Sequence, residues 1–83
     1  MKALIKVRLK SGILDPQGKA VNNALHHLGF TNVNDVRIGK FIEMQIDENN
    51  REQAGQLVED ACSKLLANPV IEDFTYEFIE DKS

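Results

Sequence analysis

The stretch Asp35-Val36-Arg37-Ile38-Gly39-Lys40-Phe41-Ile42-Glu43-Met44-Gln45-Ile46-Asp47 decides the fold. It can be folded in two ways. A tight turn at Gly39-Lys40 would make a hairpin in which Ile38 faces Phe41 and Val36 faces Glu43 on the same side. Ile42, Met44 and Ile46 would then stand on the side of Arg37, and the hydrophobic register would be lost halfway along. Read as one strand, Val36, Ile38, Ile42, Met44 and Ile46 share a face, with only Lys40 out of place. The pattern favours one long strand over 35–47, bent at Gly39, where glycine permits a bulge. Such a strand would extend about 43 Å at roughly 3.3 Å per residue. A compact chain of this length has a radius of gyration of about 12 Å, hence a diameter near 30 Å as a rough bound. The strand would overrun its own domain and leave apolar side chains and backbone groups uncovered, which predicts a dimer through this segment.

Upstream, residues 2–10 alternate: Ala3, Ile5, Val7 and Leu9 against Lys2, Lys6, Arg8 and Lys10, with Leu4 among the latter, a half-buried strand. Asp15-Pro16 opens a helix, with Asp15 as N-cap and Pro16 at the first helical position. Its apolar stripe is Val21, Ala24, Leu25 and Leu28; Gly29 supplies the left-handed turn at its end and Phe30 can pack back on Leu25. Downstream, Asn50 with Gln53 reads as a capping box for a second helix. Its stripe is Ala54, Leu57, Val58, Ala61, Cys62, Leu65 and Leu66, ended by Asn68-Pro69. Residues 70–80 alternate again, with Val70, Phe74, Tyr76 and Phe78 on one face, and the tail Asp81-Lys82-Ser83 is expected to fray. The order is β-α-β-α-β, an α+β ferredoxin-like sheet with two helices on one face, in one domain over 1–83. The basic outer face of the first strand and the acidic one of the last predict that these two strands are neighbours.

Composition bounds the chemistry. The 83 residues carry a net charge of −3, which argues against non-specific binding to nucleic acid or anionic membrane. The aromatics lie on the helix-covered side of the sheet, with only Phe41 on the open face, so RNA stacking is not expected. The lone Cys62 excludes an internal disulfide and fits a reducing, cytoplasmic setting; the charged N-terminus has no membrane-length apolar run. Adjacent His26 and His27 diverge around the helix and cannot readily grip one metal. Cys62 lies inside an apolar stripe, as a buried small hydrophobe does. The pairs Asp47-Glu48 and Glu59-Asp60 read as loop and solvated helix face. Gly39-Lys40 lacks the glycine-rich run of a phosphate loop.

Two short stretches stand out as candidate contacts. Gly18 in a first helical turn is unfavourable by propensity, so it either sits in a plain capped turn or admits another backbone at close range. Lys19 beside it could reach a partner or a phosphate at the helix N-terminus. Arg37 and Lys40 flank Gly39 and are either solvated or paired with an acidic partner group. Asp15, Gly18, Lys19, Arg37 and Lys40 are therefore the candidate partner contacts; no catalytic, cofactor or metal residues are assigned.

The segment Leu14-Asp15-Pro16-Gln17-Gly18-Lys19-Ala20-Val21 resembles the signature of the PurS family, the small subunit of phosphoribosylformylglycinamidine synthase. Leu28-Gly29-Phe30, Val36 to Glu43 and Leu65 to Phe74 agree with it in order, over nearly the whole chain. Ser11, where the family usually has proline, and the looser Ala61-Cys62-Ser63 are departures. The resemblance implies a non-catalytic subunit in purine biosynthesis, bridging a glutaminase (PurQ) and a synthetase (PurL) and helping ammonia pass between them. The assembly would convert the formylglycinamide ribonucleotide to the amidine with ATP and glutamine. ATP and Mg would lie on the large synthetase subunit, with no cofactor on this chain, and the chain would form a homodimer or a dimer of dimers. The alternative is an ACT-like regulatory domain of similar size and element order, which would bind a small effector.

Overall fold

A computed structural model describes residues 1–80. The chain runs β1 (Lys2–Leu9), α1 (Pro16–His27), β2 (Lys40–Gln45), α2 (Arg51–Ala61) and β3 (Glu72–Ile79). The three strands form one antiparallel sheet in the order β2-β1-β3. First and last strands are neighbours, as their charges predict, with Arg8 directly opposite Asp73. On the same face Lys2 Nζ stands 4.0 Å from the Glu43 carboxylate across the β1–β2 pair. The expected fraying of Asp81-Lys82-Ser83 lies outside the described residues.

The core follows from period two meeting period 3.6. Ala3, Ile5 and Val7 of β1 point to one face, and Ile5 pairs with both Ile42 and Tyr76. Ala54 and Val58 of α2, and Cys62 in the turn that closes it, cover them. Phe74, Tyr76 and Phe78 line β3 beside them, with Tyr76 edge-on to Phe78 at 5.5 Å between ring centres. Burial and the adjoining Glu59 carboxylate, which accepts its hydrogen bond, raise the Tyr76 phenol above its ordinary pKa. This ties α2 to β3. Burial likewise pushes up the Cys62 thiol, which lies fully inside the core.

Several details differ from the sequence-based expectation. Only Lys40–Gln45 enters the ladder, and residues 33–39 form no strand. Neither does the chain turn back at Gly39-Lys40, so the hairpin is absent. Gly39 makes no positive-φ bulge; it lets the chain pass β1, where a Cβ would stand 2.5 Å from the Val7 carbonyl oxygen. Met1 extends the pairing beyond β2, accepting a hydrogen bond from Ile46 N–H at 2.8 Å. The α2 cap is half a capping box: Asn50 Oδ1 accepts from Glu52 and Gln53, while Glu48, not Gln53, binds the Asn50 N–H. The helix closes in a wide π-type turn, with Ala67 N–H bonding Cys62 carbonyl at 2.9 Å. This rotates the end of the stripe, so that Leu65 is 83% exposed, while Leu57, ahead of that turn, already faces out from α2. Val70 falls in the turn before β3 and faces out.

The largest departure is α1. Both its ends form as expected, with the left-handed Gly29 at φ +98, but Phe30 returns to Leu25 through its backbone N–H, bonded to the Leu25 carbonyl at 2.9 Å, and its side chain stays exposed. Yet only Gly18 of this helix is buried, and no α1 residue belongs to the hydrophobic core. The expectation that two helices share one sheet face therefore holds for α2 and not for α1. Residues 33–39 add no strand to the sheet, and α1 is left outside its core. The radius of gyration is 16.3 Å, against about 12 Å for a compact chain of this length.

Candidate functional site

The candidate residues meet where β1 ends, α1 begins and the chain approaches β2. Asp15 is buried and uses both carboxylate oxygens. Oδ1 accepts the Gly18 N–H at 2.9 Å, the N-cap bond, and Oδ2 accepts the Ile38 N–H at 2.7 Å. These two bonds, in that order, hold its pKa below the ordinary 3.8, and the Arg37 charge adds to them against the opposing effect of desolvation.

Arg37 answers in the opposite direction. Its Nη1 donates to Ile13 carbonyl at 2.9 Å and its Nη2 to Lys10 carbonyl at 3.1 Å. A planar guanidinium can hold two acceptors in this way, and a lysine ammonium cannot reproduce the fork. Neighbouring residues 37 and 38 are thus each bonded to the segment 10–15, one as side-chain donor and one as backbone donor. Gly18 completes the contact: a Cβ there would collide with the Val36 carbonyl oxygen. The unfavourable helix residue is explained by close backbone approach, one of the two readings its position allowed.

Lys19 has an exposed side chain and lines, with Asp15, Asn22, Asp35 and Arg37, a cleft of about 330 Å³. The Asn22 side-chain oxygen is buried without a hydrogen-bond partner among the described residues. Lys40 is separate from this group. It lies opposite Val7, on the core side of the sheet, and its ammonium donates to Leu66 carbonyl at 3.3 Å. A cation is favourable at such a helix C-terminus. The structure therefore brings Asp15, Gly18, Lys19 and Arg37 together and sends Lys40 to the other helix.

Sequence reasoning missed the partners, because most are backbone groups: the N–H of Ile38 and the carbonyls of Lys10, Ile13 and Leu66. No residue type signals them. It also missed His26, whose Nε2 donates to Val33 carbonyl at 2.7 Å and ties the end of α1 to the returning chain. Among the described residues no group of His, Cys, Asp and Glu is placed to hold a metal, and no helix is long and apolar enough to cross a membrane. What this arrangement does chemically is to hold parts of one chain at fixed angles.

Comparison with known proteins agrees with an assembly role rather than an effector-binding one. The profile of the PurS family, described as phosphoribosylformylglycinamidine (FGAM) synthase, matches residues 2–80. The PurS subunit of that synthase from Bacillus subtilis is 49% identical over 79 residues, covering 95% of this chain and 93% of the relative. A structure of B. subtilis PurS in its C2 crystal form superposes with a TM-score of 0.83 at 50% identity, over 92% of this chain and 94% of that one. A chain in the structure of PurLQS from Thermotoga maritima gives the same TM-score of 0.83 at 33% identity, over 92% and 93%.

Proposed function

The chain belongs to the PurS family of FGAM synthase subunits, and from that premise we propose that it serves as the small, non-catalytic subunit of such a synthase in purine biosynthesis. It would bridge a glutaminase subunit and an ATP-dependent synthetase subunit and help ammonia pass from one to the other. ATP and Mg would be bound by the synthetase subunit and not by this chain. The observation that carries this reading is the nearly end-to-end match, in sequence and in fold, to PurS chains, including one within PurLQS. The side chains of the candidate site support it, because Asp15 and Arg37 spend their charges on this chain's own backbone. That is scaffold chemistry.

Reconstitution with glutaminase and synthetase subunits tests the proposal. Glutamine-dependent turnover should require this chain, and free ammonia should bypass it at least in part. Unchanged glutamine-dependent turnover without the chain would sink the assembly reading.

A second copy of the chain is part of the same proposal. The extended shape, 48 × 32 × 15 Å, leaves Leu28 and Phe30 exposed at the end of α1. No hydrogen bond within the described residues engages the backbone N–H groups of Asn34, Asp35 and Val36. Pairing between two copies along 33–47 would satisfy such groups and cover the apolar stripe. Sedimentation at micromolar concentration should give a dimer or a dimer of dimers, and a persistent monomer would reject this part.

A further inference from the structure

The bonds around Asp15 and Arg37 run in both directions between the same two segments. Asp15 lends one acceptor to the 35–38 segment, at Ile38, and Arg37 lends two donors to the 10–13 segment. Gly18 lets the two backbones touch between them. No α1 residue reaches the hydrophobic core. The direction of α1 is therefore set at its first turn by this clasp, and at its last turn by the His26–Val33 bond. Lys10 N–H is bonded to Ile71 carbonyl at 2.8 Å, so the clasp is also anchored to the chain entering β3.

We propose that Asp15 and Arg37 are positioning residues that fix helix α1 and the 33–39 segment in the orientation assembly requires, and that neither contacts a partner with its charge. This rests on the assembly reading above. A helix joined to its domain through polar bonds at its ends, with no side chain in the hydrophobic core, would swing if those bonds were lost. The surfaces it presents would then be ordered only on binding, at an entropic cost that lowers affinity.

The test separates positioning from contact and from plain stability. Arg37→Lys keeps the charge and loses the fork; Arg37→Ala loses both. Val58→Ala, in the buried core away from the clasp, lowers Tm without touching α1. Affinity for the glutaminase and synthetase subunits is measured at low and high salt, well below the Tm of every variant. Amide exchange at Ile38 is followed in the isolated chain. Both Arg37 variants should lose affinity alike, by about tenfold, as for loss of a charge-assisted hydrogen bond. The salt dependence should stay that of wild type, Ile38 should exchange faster, and Val58→Ala should keep wild-type affinity. Wild-type affinity in Arg37→Lys, a deficit in Arg37→Ala that vanishes at high salt, or an equal loss in Val58→Ala would each overturn the proposal. If wild type assembles and Arg37→Lys matches it, the clasp alone is wrong. If wild type neither assembles nor supports glutamine-dependent turnover, the assembly reading fails and takes the clasp with it.

Discussion

The sheet with α2 and the arm made of α1 and residues 28–39 are stabilised by different physics. In the first, Ala3, Ile5 and Val7 meet Ala54, Val58 and Cys62, and all six are buried. Hydrophobic burial is non-directional, and it tolerates small rearrangements as long as volume is conserved. In the second, α1 contributes no side chain to the core, and its place depends on bonds at Asp15, Arg37 and His26. Hydrogen bonds are weaker in net energy but strict in direction. The arm is thus defined in orientation without being deeply buried, which suits a surface that must meet another protein at a set angle.

The comparison breaks most sharply in the core. Ile5→Ala removes a fully buried side chain from the middle strand of the sheet, where α2 and both neighbouring strands converge. The loss should be about 3 kcal/mol, a large share of the roughly 5–10 kcal/mol that a small domain has in total. Urea denaturation should show a much lower midpoint. A midpoint within error of wild type would mean that the sheet and α2 are not the stabilising half.

Gly18→Ala tests the hinge between the two halves. Intrinsic helix propensity favours alanine by about 1 kcal/mol. The added Cβ, however, would collide with the Val36 backbone oxygen, which has no rotamer to escape into. Relieving the overlap should cost about 1–3 kcal/mol, so the net effect is destabilising by roughly 1 kcal/mol. A gain in Tm would show that the close approach of the two backbones is not needed.

The same two halves explain what was legible in the sequence. Alternation at Ala3, Ile5 and Val7 and again at Phe74, Tyr76 and Phe78 marked two strands whose inward faces the structure confirms. Asp15-Pro16 and Leu28-Gly29 marked both ends of α1, because caps are local chemistry. The stretch 35–47 was legible only in part. Val36 and Ile38 continue the apolar pattern of β2, but among the described residues their segment has no strand partner, and one sequence cannot state whether a pattern is completed at home or in a partner. Of the site, Gly18 gave a usable signal because its residue type opposes its helix. The second bond of Asp15 gave none, because its partner is a backbone N–H remote in sequence.

Asp15→Asn sharpens the comparison by chemistry instead of volume. Asparagine is as good an N-cap as aspartate, so by the local rule alone the change is harmless. Here both oxygens accept, from Gly18 and from Ile38, and an amide offers only one acceptor oxygen, its NH₂ being a donor alone. One N–H must face an NH₂, and Tm should fall by on the order of 5 °C. The charge also carries a pH dependence. The folded pKa lies below the unfolded value of 3.8, so the stabilisation is fully present above that value. It is lost as pH falls through the lower folded value. Wild type should therefore lose Tm faster than Asp15→Asn below pH 3.8. Parallel acid profiles would show that Asp15 is not held by the clasp.

The smallest effect on stability should come from Leu28→Ser, and its smallness is the point. Leu28 is 74% exposed and closes α1 beside Gly29, where no core residue touches it. A surface substitution of this kind changes the stability of the isolated fold by no more than about 0.5 kcal/mol. If the arm is where copies of the chain meet, the same substitution should weaken self-association by about tenfold, the scale of one apolar side chain left in water at an interface. The two effects separate by dilution, because only association makes Tm depend on protein concentration. At the lowest concentration the variant and wild type should melt together, and as concentration rises wild type alone should gain Tm. A variant that melts early at every concentration would place Leu28 in the fold itself. One whose Tm rises in step with wild type would move the meeting surface off the end of α1.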